Sequence, residues 1–389
     1  MNRREFIKVC RALGITMPLQ PLLNACTNKQ IFQNDSTKPV IIIGAGAAGL
    51  VAGYLLKQQG ISIKILEASS NYGGRMKRTS DFSNFPIPLG AEWIHAEPKI
   101  LDEIVNDDSV DVDIDTLMYD PENDYALYEG EKISIKEMEM SEDSKFVNST
   151  WFDFFEQYIA PSIEKHIVYS SKVKSIDYST DEVIVETHDS THYASRVIVT
   201  APIKILQQRE INFTPELPKL KQDAIDKVKV WGGFKAFIEF SDKFYPALIG
   251  FNVNPPEHGE KLYYDAAYGQ NTTHHILGLF AVGAASIPYV DLQEDEIIKY
   301  ILDELDALFD GKASTYYVKH IIQNWNTEPH IFGAYVRNNE DWRQIKKLGE
   351  STNERLFFAG DAYTDGQDWG SVHAAVYSAK RAVKDILKS

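Results

Sequence analysis

The run Val40-Ile41-Ile42-Ile43-Gly44-Ala45-Gly46-Ala47-Ala48-Gly49 constrains this chain more than any other part of it. Four β-branched residues without a polar interruption predict a buried parallel strand. From Leu50 to Gln59 apolar side chains recur at helical spacing, and Gly60 supplies a stop. A second strand over Ile61 to Leu66 then delivers Glu67, 23 positions after Gly44, close to the ~20 at which an acid meets ribose hydroxyls. Strand, glycine turn, helix, strand and acid are the order a dinucleotide site needs. Gly44 permits the tight turn, Gly46 lets a pyrophosphate approach the backbone, and Gly49 lets helix and strand pack closely. Ala47 and Ala48 within the turn, and Ala68 after the acid, join the cofactor-binding residues, and the N-terminus of the helix that follows faces the phosphate charge.

The chain has 389 residues, more than one average domain, yet no long Pro/Gly/Ser linker separates independent units. Two domains woven from alternating segments are therefore expected. A net charge of −16 argues against a nucleic-acid partner and suits either solubility or a cationic substrate. The first 26 residues read as an address. Asn2-Arg3-Arg4-Glu5-Phe6-Ile7-Lys8 resembles a twin-arginine export signal, and the apolar stretch Val9 to Leu23 is too short and broken to span a membrane. Leu23-Asn24-Ala25-Cys26 resembles a lipobox, so the expectation is an exported protein of the periplasm or envelope, with attachment by a lipid on Cys26. Both cysteines of the chain, Cys10 and Cys26, lie in this leader. The body thus has no disulfide, thiolate metal site or cysteine nucleophile, and no metal is expected.

Asn71-Tyr72-Gly73-Gly74-Arg75 resembles the second glycine-arginine element of the glutathione-reductase-like FAD fold, in which Gly74 admits the pyrophosphate and Arg75 offsets its charge. Leu89-Gly90-Ala91-Glu92-Trp93-Ile94-His95 is similar to the segment by which flavin-containing monoamine and polyamine oxidases pass the isoalloxazine ring. The resemblance makes Gly90, Ala91, Glu92 and Trp93 cofactor-binding, and gives His95 the task of orienting an amine or moving a proton. Gly233 to Phe240 resembles the element in which a lysine precedes an alternating strand. That implies Lys235 as the catalytic residue that reaches flavin N5 through a water. Val173 takes the place of the residue whose backbone holds adenine, and Thr200 ends a strand returning to the FAD sheet. Trp325 is implied to pack against the flavin and Tyr335 to wall an aromatic substrate cage. Arg355 to Asp361 resembles the closing FAD motif, with Gly360 at the turn and Asp361 in place of the usual glutamate. From Ser371 and Val372 a helix begins whose amides meet the flavin O2 edge.

The implied fold is α/β, a Rossmann-type FAD-binding domain interleaved with a mixed-sheet α+β substrate domain. After the signal (1–26) and a linker (27–37), the FAD domain takes 38–95, 166–235 and 345–389, and the substrate domain takes 96–165 and 236–344. Three departures from the pattern matter. Ser371 stands where the second cage tyrosine is common, so Trp369 is the candidate substitute. No cysteine is available for a covalent flavin link, so FAD is held noncovalently. The 78 positions from His95 to Val173 leave a trimmed lid. The expected reaction is oxidation of a small amine with oxygen as acceptor and hydrogen peroxide as product. A desaturase or protoporphyrinogen-oxidase-like dehydrogenation, and a non-catalytic FAD-bearing binding protein, stay open as alternatives.

Overall fold

The computed structural model describes residues 38–389 apart from 121–123, 129–132, 136–142, 254–257 and 339. The expected export signal, Cys26 and the linker all lie outside the described residues. Val40–Ile43 is buried along its whole length and forms the centre of a five-stranded parallel sheet. Its neighbours are Ile63–Leu66 on one side and Arg196–Val199 on the other, flanked by Ile167–Val168 and Leu356–Phe358. Strands buried on both faces need continuous β-branched and aromatic side chains, and these sequences supply them. The helix Ala47–Gln58 starts three residues earlier than periodicity predicts, because the alanines after Gly46 are helical already. The C-terminal helix Val372–Ile386 packs beside it.

The larger sheet has seven strands in the order Tyr317–Asn324, Gly233–Phe240, His275–Gly283, Gly259–Asp265, Leu248–Phe251, Tyr125–Tyr128 and Ile133–Ile135. It is mixed, with only Leu248–Phe251 and Tyr125–Tyr128 running parallel among neighbouring pairs. Gly233–Phe240 is buried at every position, so its period-2 alternation does not separate core from solvent. One face packs under the helix Glu294–Phe309. That helix begins at Glu294, where Gln293 and Glu296 form a reciprocal capping box. A four-stranded sheet, Thr191–Ala194, Val183–Thr187, Val173–Asp177 and Asn212–Thr214, completes the nucleotide-side half. The chain is thus α/β, with a Rossmann-type parallel sheet interleaved with a mixed-sheet unit.

One buried lysine belongs to the scaffold. Lys221 donates to the carbonyls of Lys347 and Leu348 at 3.0 and 2.7 Å, at the end of the helix Trp342–Gly349, with its Nζ 3.8 Å from the centre of the Phe358 ring. Burial nevertheless outweighs these contacts and pushes its pKa down to about 7. Between that value and the ordinary lysine value the unfolded chain binds the extra proton, so stability should rise with pH across this window. Lys221→Met should remove that rise. Thermal melts at pH 7 and 9.5 are expected to show the wild type gaining on the variant, by up to about 1.4 kcal/mol per pH unit.

Candidate functional site: a glycine cradle and a buried lysine

Two glycine turns meet at the end of the parallel sheet. Gly73 donates its amide to the Ala45 carbonyl at 2.8 Å, and a Cβ on Gly74 would lie 3.5 Å from the Cα of Gly46. Gly49 is pressed onto the turn, since a Cβ there would sit 1.9 Å from the Gly44 oxygen. Thr200, at the end of the adjacent strand, donates its hydroxyl to Ile43 O at 2.7 Å and braces Gly44. Glu67 accepts from the amides of Ala45 at 2.6 Å and Ser69 at 2.8 Å, so both carboxylate oxygens are oriented by backbone next to Ala68. A Cβ on Gly46 would meet nothing within 4 Å. This glycine, with no side chain to cap the helix that starts at Ala47 and Ala48, leaves an open cradle at a helix N-terminus.

Arg75 and Asp361 are engaged otherwise than the sequence implies. They form a two-point ion pair, 2.9 and 2.5 Å, and Arg75 also donates to Ala334 O. Arg75 is therefore not a free counter-charge for a pyrophosphate. Its guanidinium instead links the glycine turn to Ala334, the neighbour of Tyr335, and its own carbonyl accepts from Ala91 at 2.9 Å. Gly360, at φ 151°, donates its amide to Ser378 Oγ at 2.7 Å. Val173 is buried and pairs with Thr187, ahead of an irregularity that spares position 174 from the ladder. Arg75, Thr200, Lys204, Tyr335, Asp361 and Tyr363 are among the residues that line an open cleft of about 340 Å3.

Lys235 is 4% exposed, and its Nζ donates to Pro88 O at 2.9 Å, Gly90 O at 3.2 Å and Glu92 Oε2 at 2.8 Å. Trp325, also buried, donates its indole N–H to Leu89 O and lies against Gly90. The segment 88–92, Lys235 and Trp325 are thus brought together. The side chain of Glu92 turns inward: it meets Lys235 and Tyr264 through one oxygen and Lys145 through the other, at 3.3 Å. Burial alone would raise its pKa, but Lys235 and then Lys145 overturn that and hold it below the ordinary carboxylate range. The Trp93 ring packs on Tyr119 and Tyr264 and also faces inward.

His95 stands apart, half exposed and paired with Asp143 at 3.0 Å, with Glu260 and Asp368 in electrostatic range. The ring of Tyr335 is braced edge-on by Trp231 at 5.8 Å and lies against Gly370. Burial raises its phenol pKa, so it stays neutral. Trp369 donates to Arg337 O at 2.8 Å and packs into the nucleotide-side core. Ser371 does not mimic a ring. Its hydroxyl caps the helix starting at Val372 by accepting from Ala374. Lys145, Tyr264, Trp231 and the three carboxylates near His95 were not marked by any motif.

Comparison with known proteins agrees with this geometry. The family described as "Flavin containing amine oxidoreductase" matches residues 155–387, more than half of the chain, and a "NAD(P)-binding Rossmann-like domain" matches 42–106. The chain belongs to the flavin containing amine oxidoreductase family, and its cofactor is FAD. Lysine-specific histone demethylase 1B of Mus musculus is 25% identical over 84% of this chain and 50% of its own length. Probable polyamine oxidase 4 of Arabidopsis thaliana is 22% identical over 92% of this chain and 88% of its own. The chain therefore spans about half the length of the histone demethylases it matches. Among solved structures, putrescine oxidase bound to putrescine superposes with a TM-score of 0.72 at 14% identity, covering 90% of this chain and 99% of that one. Cyclohexylamine oxidase from Brevibacterium oxydans IH-35A gives 0.73 at the same identity and coverage. The residues present fit FAD: the cradle a Cβ on Gly46 would fill lies open beside helix amides and an oriented Glu67.

Proposed function

We propose that this protein oxidises a small amine to an imine, which water hydrolyses to a carbonyl compound and the freed amine or ammonia. Bound FAD supplies the two-electron chemistry, accepting a hydride equivalent from the carbon next to nitrogen. Oxygen then takes both electrons and two protons, giving hydrogen peroxide, so that amine, oxygen and water balance against carbonyl, amine and peroxide. One observation carries the reading: a buried lysine seated on the carbonyls of the flavin-passing segment, beside a dinucleotide cradle. The Tyr335 face, braced by Trp231, supports it as a wall suited to an amine. Asp143, Glu260 and Asp368 around His95 favour approach of a cation.

Stopped-flow absorbance at the flavin bands tests it, with the anaerobic FAD-loaded protein mixed with primary amines, polyamines and amino acids. Bleaching by an amine is expected, at a rate that rises with pH through that amine's own ionisation, because the neutral amine is the form that reacts. A flavin that stays oxidised against the whole panel would overturn the proposal and favour the desaturase or the binding protein.

A further inference from the structure

Three buried charged side chains from three separate parts of the chain meet behind the segment 88–92. Lys145 comes from the strand Ser144–Phe146, Glu92 from the loop after Pro88, and Lys235 from Gly233–Phe240, one strand in from the edge of the large sheet. Their relative exposures are 3%, 7% and 4%. Lys145 Nζ lies 5.2, 5.4 and 5.4 Å from the ring centres of Trp93, Tyr119 and Tyr264, and donates to Ala266 O at 3.3 Å. An ammonium over aromatic rings is attracted by their quadrupoles. Glu92 bridges it to Lys235, and Tyr264 donates its hydroxyl to the same Glu92 oxygen that Lys235 uses.

An ammonium has three protons and no lone pair. Pro88 O, Gly90 O and Glu92 accept one each, so the geometry around Lys235 is that of a fully used ammonium. Of the elements packed against it, the strand of Lys145 brings the charge that competes for Glu92. Phe280 and Gln323 pair with it on the neighbouring strands. The Gln323 amide donates to Glu328, whose carboxylate is matched by Lys77. Phe237 lies 5.0 Å below on its own strand.

We propose that Glu92 is the positioning residue that keeps Lys235 a fixed ammonium on the flavin-passing segment, and that Lys145 is the counter-cation that keeps Glu92 in place. This rests on the amine-oxidase reading only for what the fixed charge serves. Burial pulls Lys235 below the ordinary lysine range, against Glu92, and Lys145 adds to the pull. The carboxylate is thus what opposes loss of the proton. With every proton committed, Lys235 acts as a standing positive charge and not as a shuttle for the substrate's proton.

The test follows lysine 13Cε resonances of the FAD-loaded full chain from pH 6 to 10, with Lys235→Met and Lys145→Met variants identifying the two signals. In the wild type the Lys235 signal should titrate with the higher midpoint, because the carboxylate opposes loss of the proton. In Glu92→Gln it should titrate inside the window, with a midpoint lower by roughly two pH units or more. If Glu92→Gln fails to fold because two ammonium groups are left facing each other, Glu92→Gln/Lys145→Met removes the surplus charge and carries the same expectation. The same Lys235 midpoint with and without the carboxylate overturns the proposal. Amine-dependent bleaching is read on the same samples. Its absence with the midpoint difference intact would sink the amine reading and leave the role of Glu92 standing.

Discussion

Lys235→Met should lower amine-dependent turnover by about 10²- to 10³-fold while FAD stays bound, the loss typical of removing one preorganised charge or donor from a reacting site. The fold should survive the change, because methionine matches the length of the buried stem and Glu92 keeps Lys145 at 3.3 Å as a neutral pair. What is lost locally is a donor to Pro88 O and Gly90 O, a cost of about 1–3 kcal/mol for buried acceptors left unmet. Rapid mixing separates the two half-reactions: bleaching by amine under argon, then recovery of colour on admitting oxygen. A slowed chemical or oxidative step at unchanged flavin content is the expected result. Unchanged rates in both would make Lys235 a structural ion pair with no part in the chemistry.

Much of the nucleotide side was legible because its physics is local. A glycine turn, the helix after it and an acid about twenty positions on must be near one another in sequence, and Gly44, Gly46, Gly49 and Glu67 meet as their spacing implies. Pairings made across the chain were not legible. Arg75 and Asp361 are 286 positions apart, and each alone reads as a phosphate-side group. Their mutual ion pair is a property of the fold. Lys145 follows an acidic stretch that reads as solvated surface, and nothing nearby says that Trp93, Tyr119 and Tyr264 will close around it. Trp369 reads as a cage residue only from its nearness to Ser371, but an indole also needs a partner for its N–H, and Arg337 O supplies one. Ser371 itself had a plain local reading, a hydroxyl just before a helix, and this is the role it takes.

Gly46→Val and Gly49→Ala, only three positions apart, should fail in opposite ways. Gly46 has φ −79°, ordinary for any residue, and a Cβ there meets nothing within 4 Å. The flavin-free Gly46→Val protein should therefore melt within about 0.5 kcal/mol of the wild type, as surface changes usually do. Its isopropyl group nevertheless stands where a pyrophosphate must approach the helix amides. Overpacking at such a contact costs about 1–3 kcal/mol, which weakens FAD binding by about five- to 150-fold. Gly49 has no such space. Its Cβ would lie 1.9 Å from Gly44 O and 3.2 Å from Thr200 Oγ1, so helix and strand must part before any ligand arrives. Gly49→Ala should lower the melting temperature of the flavin-free protein itself, and FAD affinity should fall only as a consequence. Calorimetry on both apoproteins, with FAD fluorescence quenching for affinity, separates the two effects. Tight FAD binding by Gly46→Val would mean that the pyrophosphate does not lie over this glycine, and the cradle would then lose its assignment whatever Gly49→Ala does.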